Sequence, residues 1–187
     1  ETYKTLLKKH GITEVYMEYA ALPYGHAKRF EQLSEECGAK AILNTTLDDA
    51  IRKQRIVKSD EEVKRICDAQ AITDATFEHI LPYIKEGVTE REIADQMLGL
   101  YRKHACEGFS FPPIVSFGAN AGDPHHEPDD TVLKPGDGIV IDMGCEKEGY
   151  CSDMTRTFFC ETADPDYAAI HDLVRSANEK AESLIRP

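Results

Sequence analysis

Gly138-Ile-Val-Ile-Asp142-Met-Gly-Cys-Glu-Lys-Glu-Gly-Tyr-Cys-Ser-Asp153-Met-Thr-Arg-Thr157 is the stretch that decides how this chain is read. The spacing of Asp142 and Asp153 around one tight turn predicts an antiparallel hairpin. With Glu146 to Gly149 as the turn, the two aspartates face each other directly, their Cβ atoms about 5 Å apart. Carboxylates that close repel unless one is protonated or a cation lies between them. Hard oxygen ligands suit a divalent ion such as Mn²⁺, Mg²⁺ or Zn²⁺. On the other face, Ile139, Ile141 and Met143 would lie across from Arg156, Met154 and Ser152. That mainly apolar side can pack on helices. Taken alone, the pair also fits a solvated acidic hairpin that holds no ion.

The flanking residues carry a resemblance. Ile139-Val-Ile-Asp142-Met-Gly and Gly149-Tyr-Cys-Ser-Asp153-Met-Thr-Arg-Thr157 resemble the segment that bears the first two metal ligands of the pita-bread metallopeptidases, especially Xaa-Pro dipeptidase and aminopeptidase P. Upstream segments follow the same family order. Arg55-Ile-Val-Lys58-Ser59-Asp-Glu-Glu62 is similar to the opening of the catalytic domain, and Gly87-Val-Thr89-Glu90-Arg-Glu92-Ile93-Ala94 to its second helix start. Phe109-Ser-Phe111-Pro-Pro-Ile-Val-Ser-Phe-Gly118-Ala-Asn120 and Pro124-His125-His-Glu-Pro128 complete the series.

The resemblance implies an α/β (α+β) chain in two parts. Residues 1–54 would be the end of a creatinase-type amino-terminal α/β domain with its linker. Residues 55–187 would be the first half of a pita-bread catalytic domain. The implied activity is hydrolysis of Xaa-Pro peptide bonds using two divalent ions about 3.5 to 4 Å apart. Mn²⁺ is the first expectation, with Co²⁺ or Zn²⁺ as alternatives. Asp142 would hold one ion and Asp153 would bridge both. His125 would reach the substrate and stabilise the tetrahedral intermediate without binding metal, and His126 is read as incidental. One His and two Glu from later segments complete the family's site, so residues 1–187 read as a partial chain. A peptide with proline at its second position, a cytoplasmic location and a homodimer belong to the same implication. The alternatives on this fold are a non-catalytic binding module and a creatinase-like hydrolase, both disfavoured by the retained Asp142 and Asp153.

Composition sets further bounds. Lys plus Arg number 22 against 34 Asp plus Glu, a formal charge of −12 that speaks against nucleic acid or an anionic membrane as partner. No apolar run approaches the roughly 20 residues a spanning helix needs. Six cysteines, none in a CxxC, read as free thiols. Cys145 and Cys151 flank the turn and offer a rival, thiol-based metal site.

Along residues 1–54, helical spacing in Tyr3 to Lys9, a strand at Val15 to Tyr19, a helix from His26 to Cys37 and a strand at Ala39 to Leu43 predict a parallel or mixed sheet. Ser59 with Glu62 reads as a capping box for a helix running to about Lys85, stopped by Gly87. Thr89 with Glu92 is a second box, and both helices read as scaffold without chemistry. Ile114 to Phe117 reads as a strand, and a helix is expected from about Pro165 to Ile185. Thr155 and Thr157 are candidate hydrogen-bond partners for Asp153.

Overall fold

The computed structural model describes residues 2–186, which divide into one unit up to Ser59 and a second from Asp60 onward. The division falls past the expected boundary after residue 54 because a helix continues to Ile56.

The first unit runs α1 (Thr2–His10), β1 (Glu14–Tyr16), α2 (Tyr24–Glu35), β2 (Lys40–Ile42) and α3 (Thr46–Ile56). β1 and β2 pair in parallel, Val15 opposite Ala41. α3 is absent from the sequence reading because it buries no residue and so shows no apolar stripe. Its ends carry the signal instead. Asp48 and Asp49 sit in the first turn, Lys53 and Arg55 in the last, each complementing the helix dipole.

The second unit opens with α4 (Asp60–Ile80). Pro82 ends it earlier than Gly87 would, since proline lacks the N–H that the next helical hydrogen bond needs, and the chain passes through a 3₁₀ turn at Leu81–Tyr83. α5 (Glu90–Lys103) starts on the expected capping box, in which the Thr89 hydroxyl accepts from the Glu92 N–H and the Glu92 carboxylate accepts from the Thr89 N–H. β3 (Gly108–Phe109), β4 (Ile114–Phe117), β5 (Gly138–Met143), β6 (Cys145–Lys147), β7 (Tyr150–Cys151), β8 (Met154–Phe159) and α6 (Pro165–Glu182) follow.

The strands form two three-stranded antiparallel sheets, ordered β4-β5-β8 and β3-β6-β7. β5 alternates as its sequence requires, with Ile139, Ile141 and Met143 buried. They meet Ile80 of α4, Ile93, Met97 and Tyr101 of α5, and Val115 and Phe117 of β4 in one core. α6 has apolar residues at helical spacing yet leaves Ile170, Leu173 and Val174 exposed. Among the described residues, no helix is long and apolar enough to cross a membrane.

Ile141 sits at the centre of this core with no exposed surface. Ile141→Ala is expected to destabilise the second unit by about 2–5 kcal/mol, measured as a lowered urea midpoint at constant slope in the full-length protein. A loss under about 1 kcal/mol would mean that β5 does not carry the core.

Candidate metal centre

One long hairpin builds the site. β6 and β7 form its tip, joined by Glu148 and Gly149, and both of these residues have positive φ (51° and 74°), the backbone of a two-residue hairpin turn. The turn therefore lies one residue later than expected, and every cross-strand pairing moves by two. Asp142 faces Thr155, not Asp153, and Met143 faces Met154. A shift of two keeps each side chain on its face, because the pleat repeats every two residues. Asp153 immediately precedes β8. Its buried neighbours Ser152 and Met154 leave it on the exposed side that it shares with Thr155. The two aspartates are diagonal neighbours on one face, not a direct pair.

Between the tip and the base, the hairpin bends from one sheet into the other. Gly144 interrupts one limb, and Ser152 with Asp153 interrupts the other. The backbones there are in contact, since a Cβ added to Gly144 would lie 2.0 Å from the Ser152 carbonyl oxygen and 2.4 Å from Ser110 Oγ. A buried hydroxyl network pins the bend. Ser152 Oγ accepts from the Cys145 N–H (2.9 Å) and pairs with Thr73 Oγ1 of α4 (2.7 Å). Thr73 in turn contacts the Tyr101 hydroxyl of α5 at 3.3 Å, and burial raises the Tyr101 pKa. Ser110 Oγ donates to the Ser152 carbonyl (2.8 Å), and the Ser110 N–H donates to the Gly144 carbonyl (3.1 Å).

The donor set suits a hard cation. Thr155 donates to Asp142 Oδ1 at 2.8 Å, so this threonine orients Asp142 where Asp153 was the expected partner. The second oxygen of Asp142 and both oxygens of Asp153 have no side-chain partner among the described residues. Thr157 is exposed and pairs with Val140. The thiol alternative does not fit. Cys145 is buried and donates to the Ala69 carbonyl (3.4 Å), whereas Cys151 is exposed one position out of phase. Desolvation raises the Cys151 thiol above its ordinary range.

His125 is exposed at a turn, its backbone N–H donating to Asp123 Oδ1 at 2.9 Å. Its neighbour His126 belongs to a cluster that the sequence reading missed. His126 Nε2 lies 2.6 Å from Oε2 of Glu90, the first residue of α5, and Asp129 completes a group whose ligand-type atoms lie within 4.8 Å of one another. The capping box gives no signal for this cluster, since it pairs Thr89 with Glu92 and leaves Glu90 unmarked. Hydrogen bonds from the Thr131 hydroxyl and N–H hold the Asp129 carboxyl below its ordinary range.

The profile of metallopeptidase family M24 matches residues 64–187. The X-Pro aminopeptidase of Thermotoga maritima superposes with a TM-score of 0.86 at 29% identity, covering 96% of this chain and 49% of that one. The Xaa-Pro dipeptidase of Bacillus anthracis gives 0.84 at 31% identity, covering 94% and 48%. An uncharacterized peptidase of Staphylococcus saprophyticus is 36% identical over 141 residues, 75% of this chain and 40% of its own. The chain spans about half the length of the curated relatives it matches.

The contact at Gly144 admits no side chain, and its partner is a backbone oxygen that cannot swing aside. Gly144→Ala is expected to cost more than about 3 kcal/mol, beyond the usual overpacking range, and to weaken Mn²⁺ binding. Calorimetric melting and titration of the full-length protein measure both. A wild-type melting temperature in that variant would remove the crossing from the description of the site.

Proposed function

The chain belongs to metallopeptidase family M24, and we propose from that premise that it serves the metal-dependent hydrolysis of Xaa-Pro peptide bonds, as an Xaa-Pro dipeptidase or aminopeptidase. One observation carries this reading. Asp142 and Asp153 share the exposed side of a bent hairpin whose other side is core, with oxygen lone pairs that no side-chain donor among the described residues takes. The relatives named above as X-Pro aminopeptidase and Xaa-Pro dipeptidase support a peptide substrate with proline in its second position.

Two divalent ions, Mn²⁺ first and Co²⁺ or Zn²⁺ as alternatives, supply Lewis-acid polarisation and a lowered pKa of water when bound. Asp142 and Asp153 provide the negative charge and hard oxygens that hold them. Thr155 fixes the Asp142 carboxylate through Oδ1, which limits its rotation and leaves the other oxygen for the cation. His125, exposed on its turn, donates a hydrogen bond to the scissile carbonyl oxygen as negative charge grows there. The family resemblance assigns the remaining ligands, one His and two Glu, to other segments of the fold. On the same reading the complete protein works in the cytoplasm as a homodimer, in keeping with six cysteines that form no disulfide.

Metal content and turnover on Xaa-Pro dipeptides and longer Xaa-Pro peptides, measured together in the full-length protein, test these assignments. His125→Ala is expected to lower turnover by about a hundredfold or more, the scale of losing one oxyanion-type donor, with metal content unchanged. Asp142→Asn is expected to lose metal and activity together. Loss of metal from the His125 variant would make that residue a ligand. Full activity in the Asp142 variant would overturn the metal centre.

A further inference from the structure

Glu90 carries a carboxylate with no exposed surface, and the proposed chemistry makes no use of it. Burying a charge is costly unless it is fully hydrogen-bonded. Here it is. Oε1 accepts from the Phe117 N–H at the end of β4 (2.8 Å) and from Asn120 Nδ2 (3.0 Å). Oε2 accepts from His126 Nε2 (2.6 Å) and from the Asp129 N–H (3.1 Å). The site at the first residue of α5 adds the favourable end of a helix dipole.

These donors all come from one stretch of chain. Phe117, Asn120, His126 and Asp129 are spread along the segment that leaves β4 and returns toward β5, and His125 lies within it. The return limb is fastened to the same helix start. The Arg91 N–H donates to the Asp129 carbonyl (3.0 Å), the Glu90 N–H to the Thr131 carbonyl (3.2 Å), and Arg91 Nε to Asp130 Oδ1 (2.9 Å). His125 has no side-chain partner of its own among the described residues. Its position is set by the backbone bond to Asp123 on one side and by His126 on the other.

Glu90, His126 and Asp129 lie close enough together to suggest a cation site. The hydrogen bonds argue against one. A carboxylate offers about four lone-pair sites, and four donors already fill those of Glu90. Asp129 Oδ1 is likewise taken by the Thr131 N–H at 2.7 Å. A cation would have to displace these donors, of which Asn120 Nδ2 also reaches Thr131 Oγ1 at 3.1 Å.

We propose that Glu90 is a positioning residue: its buried carboxylate, acting through His126, Asn120 and Asp129, holds the loop that presents His125 to substrate. This rests on the reading of His125 given above. It also gives His126 a task, the donation of its Nε2 proton to Glu90.

A double-mutant cycle in the full-length protein tests the proposal. Turnover of an Xaa-Pro dipeptide with Mn²⁺ is measured for Glu90→Gln, His125→Ala and the double variant, below the melting temperature of each. Glu90→Gln is expected to lower kcat about tenfold with metal content unchanged, and to lower it by no more than about twofold when His125 is already alanine. His126→Ala should resemble Glu90→Gln, and His126→Gln, which keeps a donor at the same reach, should recover most of the loss. Equal losses in both His125 backgrounds would overturn the proposal, as would loss of metal from Glu90→Gln. Should Glu90→Gln fail to fold, the His126 variants on the same two backgrounds decide the question. Wild-type turnover in His125→Ala would overturn the underlying reading of His125 and this proposal with it, a result separable from the others because Glu90 is intact.

Discussion

The contact between Gly144 and the Ser152 carbonyl is the constraint on which the rest of the second unit depends. A hairpin that ran straight would keep its two limbs at ordinary ladder spacing and place all its strands in one sheet. Here the limbs close until only a hydrogen fits at Gly144, and the ladder breaks there and resumes in a second sheet. The break leaves backbone groups that must be satisfied internally, because Ser152 is buried. Ser110 and the Ser152 side chain supply those partners, and Thr73 and Tyr101 extend the network into α4 and α5. Asp142 precedes the crossing by two residues and Asp153 stands beside it. The spacing of their backbones is therefore set by the packing at this crossing.

Much of this was legible in the sequence, for reasons that differ from element to element. β4 runs over Ile114–Phe117 as expected, and the buried face of β5 follows directly from the alternation of Ile139, Ile141 and Met143. Strand alternation fixes a face but not a partner. The partner depended on whether the turn is centred on Lys147 and Glu148 or on Glu148 and Gly149, and the positive φ of both Glu148 and Gly149 decides it. The face of each aspartate survived that shift while the pairing did not, and Asp142 gained Thr155 as its neighbour.

The Glu90 cluster was illegible for a deeper reason. Periodicity reports which residues are apolar and inward-facing. It has no means to mark a charge as buried, and charged residues at helix starts are usually solvated. Within Thr89-Glu90-Arg91-Glu92 the capping box singles out Glu92, which is exposed in the first turn of α5, and says nothing of Glu90. The donors that make burial of Glu90 tolerable lie from Phe117 to Asp129, across a loop that begins with a 3₁₀ turn at Gly118–Gly122. Only their convergence in space identifies it.

The carboxylates of this unit fall into two kinds, separated by how their lone pairs are used. Glu90 is filled by donors from the protein, so its charge is spent on holding a loop and none of its oxygens remains for a ligand. Among the described residues Asp142 keeps one oxygen without a side-chain donor and Asp153 both, on the same face of a hairpin whose limbs close at Gly144. Like charges held on neighbouring positions of a sheet destabilise it. On the proposed reading a cation held between them would remove that repulsion, and its preference for the folded hairpin over the unfolded chain would add to the stability of the fold. The tight crossing at Gly144 would then serve the site by preventing the two aspartates from separating when no ion is present.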